Sequence, residues 1–215
     1  MPLVYYCFMR RRKWLFLVSG AVLLLVLAGV LFVFIPRKSS KDLIESSEVI
    51  PYLKDGDIIL RLGDGAWSAS FRDFSLTDKR FSHLGIVRIR DENISVINSV
   101  GYLRNKEKGV DEVSLEKFLQ VAKAIGVFRA KYADGMLISD KAVEYVDRPF
   151  DWSFNILDDS KIYCTELLYA VLKSIAPEFN LSTRYVDTIN MEVIPLDSIS
   201  ASSDFDEILF ITLNN

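Results

Sequence analysis

The chain changes character near residue 36. Trp14 to Ile35 is a run of 22 residues without a charge, in which Ser19 is the one polar side chain. Arg10, Arg11, Arg12 and Lys13 precede the run, and Pro36-Arg37-Lys38 closes it. At about 1.5 Å of rise per residue a helix over this run is about 33 Å long, enough to cross a bilayer core. Beyond it, polar and apolar positions fall into shorter blocks. A turn at Asp55-Gly56-Asp57 leads into a predicted strand, Ile58 to Leu62. His83 to Arg90 and Ile94 to Val100 predict an antiparallel hairpin around Asp91-Glu92-Asn93. Trp67 to Thr77 predicts a short helix or an ordered loop, and Ser114 an N-cap for a helix beginning at Leu115. Ala124 to Ala130 reads as a strand, Met136 to Val146 and Tyr163 to Ile175 as helices, and Glu207 to Leu213 as a last strand. Strands and helices are partly segregated, which defines an α+β order.

The hydrophobic run reads as an uncleaved signal anchor. A cleaved signal peptide has an apolar region of roughly 7–15 residues ending in small side chains, whereas this run ends in Phe32-Val33-Phe34-Ile35. The expected organisation is a basic stub over 1–13, a transmembrane helix over 14–35, a tether over 36–49 and a catalytic domain over 50–215. The basic cluster before the span places the N-terminus in the cytoplasm and the domain outside it, in the periplasm or another extracytoplasmic space.

Charge narrows the partners. All 29 Asp and Glu lie in residues 36–215, with 22 of the 26 Lys and Arg, so that part carries a formal 22 − 29 = −7. Nucleic acid is excluded as a partner, because phosphate contacts need clustered cations. The expected partners are the membrane, through the anchor, and a peptide or lipid-acyl substrate. Cys164 is the one cysteine after the anchor, so this part forms no internal disulfide; Cys7 lies beyond the basic cluster and reads as a bystander or an acylation site.

The chemistry rests on the sole histidine of the chain, His83, and on Cys164. An imidazole takes a proton from a thiol near neutral pH, and a thiolate attacks carbonyl carbon. The predicted helix start at Cys164 offers free N–H groups and the positive dipole end, which favour thiolate and can hold an oxyanion. The hairpin brings residues 97–101 opposite His83, so Asn98 is a candidate to orient the ring. Each residue also has a plainer reading: a buried structural thiol, a satisfied interior histidine, a solvent-facing amide. Trp67, Trp152 and Tyr163 are candidates for lining a cleft, with core packing as the alternative. One histidine and one cysteine make no zinc site, and no calcium loop or phosphate loop is present, so no metal or cofactor is expected.

Gly56-Asp57-Ile58-Ile59, then Ser82-His83-Leu84-Gly85-Ile86-Val87, then Tyr163-Cys164-Thr165-Glu166-Leu167-Leu168 resemble, in that order, the permuted branch of the NlpC-type, papain-like cysteine hydrolases, and within it the YiiX-like amidases. Ser95 to Val100, Phe150-Asp151-Trp152-Ser153-Phe154 and Ile194 to Ile199 resemble further stretches of that subgroup. The resemblance implies a circularly permuted papain-like fold, with a small antiparallel, barrel-like sheet packed against the cysteine-bearing helix. It implies Cys164 as nucleophile, His83 as base and Asn98 as the orienting residue, where the subgroup often has Glu. Backbone N–H groups, aided by Tyr163, would hold the oxyanion. The expected activity is thiol hydrolysis of amide or ester bonds, in cell-wall peptides or acylated lipids. The alternatives are a catalytically silent binding module of the same fold, a lipid acyltransferase, or a structural membrane protein.

Overall fold

The computed structural model describes residues 43–63, 66–101, 109–187 and 189–213, apart from the side chains of Ala66 and Trp67. The basic stub, Cys7 and the apolar run 14–35 lie outside the described residues, and among the latter no helix is long and apolar enough to cross a membrane.

Eight strands and six short or medium α-helices, with a 3-10 turn at Ile50–Tyr52, follow in chain order among the described residues. They are α1 (Ser46–Val49), β1 (Ile58–Gly63), α2 (Ala66–Asp73), β2 (His83–Arg90), β3 (Asn93–Ser99), β4 (Val110–Ser114), α3 (Leu115–Leu119) and β5 (Ala122–Ala130). After these come α4 (Gly135–Val143), α5 (Cys164–Ile175), β6 (Arg184–Val186), β7 (Met191–Val193), α6 (Asp197–Ser200) and β8 (Phe205–Thr212). Six strands form one antiparallel sheet in the order β4-β3-β2-β1-β5-β8, and β6 and β7 form a separate ribbon. The main sheet is open rather than a closed barrel, since β4 and β8 are unpaired edges.

The period-2 alternation of β1 sorts its side chains between two cores. Ile58 and Leu60 join Leu84, Ile86 and Ile97 beneath α5, whose Leu167, Leu168, Val171 and Leu172 are fully buried. Ile59 faces the other way, onto Val87, Val96 and the α3 side chains Leu115, Phe118 and Leu119. Ile44 and Val49 are buried on that second face, so the stretch expected as a tether is partly built into the fold. The reason is that α3 alone is too short to cover the sheet, and these two apolar side chains complete the layer.

The hairpin closes through Asp91, at φ +53°, with Arg90 opposite Asn93. Ile86 pairs with Ile97, so the next step brings Asn98 opposite Gly85. A β-carbon on Gly85 would come within 2.3 Å of Val96 Cγ1 and 3.2 Å of Asn98 Cβ. The missing side chain is what gives Asn98 room to lean along the strand toward His83.

Candidate active site

His83 is the first residue of β2 and sits opposite Arg61 on β1. Its Nε2 lies 2.9 Å from Asn98 Oδ1. Asn98 in turn donates through Nδ2 to the Asp111 carbonyl at 3.3 Å, which fixes the amide with its oxygen toward the imidazole. The ring therefore carries its proton on Nε2 and leaves Nδ1 as the acceptor. Phe118 stacks against the imidazole with centroids 5.9 Å apart. The Arg61 guanidinium lies 4.3 Å above the same Phe118 ring and donates to the Phe118 carbonyl at 2.7 Å.

Cys164 opens α5, with Tyr163 as its extended N-cap residue. Residues on both sides of the thiol are tied to one point: Thr165 Oγ1 donates to the Ile194 carbonyl at 2.7 Å, and the Ile194 N–H donates to the Tyr163 hydroxyl at 3.0 Å. Ser99 supports the approach to the helix by donating to the Ile162 carbonyl at 2.5 Å. Cys164 and His83 line one cavity of about 270 Å³ with Arg61, Phe71, Phe150 and Trp152. They reach it from different layers, Cys164 from the helix side and His83 from the end of the sheet.

Burial governs the protonation of both groups. It pushes the thiol up to about 11, against the N–H groups of Leu84, Thr165 and Cys164 and the charge of Arg61, all of which favour thiolate. It pulls His83 down to about 3, helped by Arg61 and opposed by the Asn98 hydrogen bond. The helix start does favour thiolate as the sequence suggests, but desolvation of a side chain only 4% exposed outweighs it. Both shifts favour a neutral thiol and a neutral imidazole in the resting site.

Trp152, a candidate either for lining a cleft or for core packing, is in the cavity wall. Tyr163 is buried, its hydroxyl occupied by Ile194 and its ring 5.1 Å from Phe154, and it does not line this cavity. The side chain of Trp67 lies outside the described residues. Arg61 was missed; the signal for it was a single charge inside the apolar run Ile58 to Leu62. Asp57 of the Gly-Asp motif is far from this chemistry in role: it is 1% exposed and holds Arg129 through both oxygens, at 2.7 and 2.8 Å.

Glu166, in the first turn of α5, accepts the Tyr163 N–H at 3.1 Å, while its Oε1 is buried without a hydrogen bond. Burial, with Asp151, Asp158 and Asp159 adding repulsion, pushes this carboxyl up to about 8 against the Tyr163 hydrogen bond. The folded chain therefore binds a proton that the unfolded chain has lost, and stability falls as pH rises from about 4 to about 8. Glu166→Gln keeps an acceptor for Tyr163 and removes the charge. Its urea midpoint should match wild type near pH 4 and exceed it at pH 9 by about 1–2 kcal/mol in stability, after allowance for solvent screening.

A histidine-bearing antiparallel sheet packed on a helix that opens with cysteine, with the histidine first in the chain, defines a permuted papain-like architecture. The chain belongs to the family described as permuted papain-like amidase enzyme, YaeF/YiiX, C92 family, which matches residues 52–187. Among solved structures it is similar to metalloprotein yiiX from Escherichia coli O157:H7, at 16% identity and a TM-score of 0.58, over 73% of this chain and 96% of that one. No curated protein matches it. The metal named for that protein finds no matching set of donors here. Among the described residues no three His, Cys, Asp or Glu side chains converge, and the cavity places the cation Arg61 beside its one thiol and one imidazole.

Proposed function

We propose that this protein is a membrane-anchored cysteine hydrolase that cleaves amide bonds outside the cytoplasm. One observation carries the reading: Cys164 shares a cavity with an imidazole whose far nitrogen is held at 2.9 Å by an amide oxygen. That arrangement leaves Nδ1 of His83 as the base. As the Cys164 sulfur attacks the acyl carbonyl, its proton passes to His83, and the N–H groups at the start of α5 receive the oxyanion. The C–N bond then breaks, His83 returns the proton to the leaving amine, and a thioester remains on Cys164. Water, deprotonated by the same imidazole, releases the acid and restores the thiol. Asn98 keeps the ring in this tautomer without adding a charge. Tyr163 acts through Ile194 on the helix start rather than on the oxyanion.

The membrane reading is supported by the 22-residue uncharged run and the basic residues that flank it. Cell-wall peptides and acylated lipids both lie within reach of a domain so anchored. The test is turnover of a panel of small amides and thioesters by the full chain in detergent, with labelling by an electrophilic thiol probe. In a Cys7→Ser background the chain should turn over at least one amide and take the label, and adding Cys164→Ala should abolish both. Turnover that survives Cys164→Ala would reject the proposal. A second reading, a binding module without turnover, is favoured by the 4% exposure of Cys164; it expects no amide to be hydrolysed and ligand affinity to be the same in Cys164→Ala.

A further inference from the structure

The strand β3 serves both members of the catalytic pair, from opposite faces of the sheet. Successive side chains of a strand alternate, so Asn98 and Ser99 point away from each other. Asn98 reaches His83 on one face. Ser99 ends the strand and turns to the other face, where it lines the cavity that Cys164 also lines. Its hydroxyl donates to the Ile162 carbonyl at 2.5 Å, two residues before the cysteine. The Ile162 N–H is spent on the Pro149 carbonyl at 2.9 Å. The thiol itself meets the N–H of Leu84, the residue after His83. Ser99 is 1% exposed, and a hydroxyl so buried is costly unless it is bonded. An apolar side chain would suit the strand as well. The serine answers to the carbonyl.

Resting on the hydrolase reading above, we infer that Ser99 is a positioning residue. Its bond to Ile162 sets the spacing between the Cys164 sulfur and the imidazole that Asn98 orients. One strand thereby carries two adjustments, the angle of the base through Asn98 and the distance of the nucleophile through Ser99. Spacing matters because the proton passes from sulfur to Nδ1 only within hydrogen-bond reach. A displacement of about 1 Å can cost about a hundredfold in rate. The Ser99 hydroxyl is spent on the backbone and holds no substrate, so its loss acts on kcat and leaves KM alone.

The experiment uses the full chain in detergent, with Cys7→Ser as the parent, and compares Ser99→Ala with Ser99→Thr, which keeps the hydroxyl. Ser99→Ala should lower kcat for the best amide by about 10- to 100-fold at unchanged KM, and Ser99→Thr should recover most of it. A second readout needs no turnover. The chain has one histidine, so histidine labelled with carbon-13 at Cε1 gives a single imidazole signal. Capping Cys164 as its methyl disulfide should shift that signal in the parent and in Ser99→Thr, and shift it much less in Ser99→Ala. An unchanged kcat in Ser99→Ala, a loss shared equally by Ser99→Thr, or the same shift in all three proteins would overturn the inference. A lowered urea midpoint as the only change in Ser99→Ala would overturn it too, for the bond would then hold the fold and nothing more. The two claims fail separately. A parent that turns over no amide rejects the hydrolase, while the shift still tests Ser99; a steady kcat and shift in Ser99→Ala reject the positioning role and leave the hydrolase standing.

Discussion

Replacing His83 by alanine should lower amide turnover by about a thousandfold and barely change the alkylation of resting Cys164. The first part follows from the loss of the base, which is worth roughly 10²–10⁴ in rate. The second follows from the neutral resting pair. With the thiol pushed up to about 11 and the imidazole pulled down to about 3, little thiolate is held by His83 before substrate arrives. The wild-type rate of reaction with a small neutral alkylating agent should therefore keep climbing with pH through 8.5 and level off only near 11. The measurement is that rate from pH 5 to 11 in both proteins, beside kcat/KM for the best amide. A plateau below pH 7 that disappears in His83→Ala would mean that a preformed thiolate–imidazolium pair exists. Catalysis would then draw on stored charge separation instead of a proton transfer coupled to attack.

Arg129→Met should destabilise the domain by about 3–5 kcal/mol, the usual effect of removing one partner of a buried ion pair. Asp57 is 1% exposed, and besides Arg129 it accepts the Lys54 N–H at 2.7 Å. Its own backbone carbonyl and the Gly56 N–H bond to Val87, and Gly56 takes φ +76° against Gly135. Removing the guanidinium strands a carboxylate inside this turn with one hydrogen bond to its side chain. Urea denaturation should show a lowered midpoint with an unchanged slope. The double change with Asp57→Asn should recover much of the loss, because no charge is then left buried. A midpoint within 1 kcal/mol of wild type for Arg129→Met alone would show that water reaches Asp57 and pairs it.

The sequence made most of the site legible because its chemistry is rare: one histidine, and one cysteine in residues 36–215, leave few assignments to choose between. The hairpin of β2 and β3 was readable from β-branched runs, and its short turn limited Asn98 to a position near His83. Arg61 showed only as a lone charge in Ile58 to Leu62, and its place beside His83 comes from the pairing of β1 with β2, which no local pattern encodes. The strand β4 was missed as well, because Val110-Asp111-Glu112-Val113-Ser114 alternates over too few residues, and a single apolar face at an edge gives a weak signal. The three-residue strands β6 and β7 lie below any periodicity. Nor does local sequence reveal that burial would outweigh the helix start in setting the thiol, for desolvation is a property of the assembled layers.

The two bonds that tie Tyr163 and Thr165 to Ile194 have a consequence for biosynthesis. The ribosome must add another 194 − 164 = 30 residues after the cysteine before its helix can be bolted down. A nascent chain halted at Asp187 would already hold His83, Asn98 and Cys164, yet would lack this bolt and the β8 strand that pairs with β5. The order of the catalytic groups along the chain therefore differs from the order in which their support is completed, since the start of α5 is anchored only once Ile194 has been translated and docked.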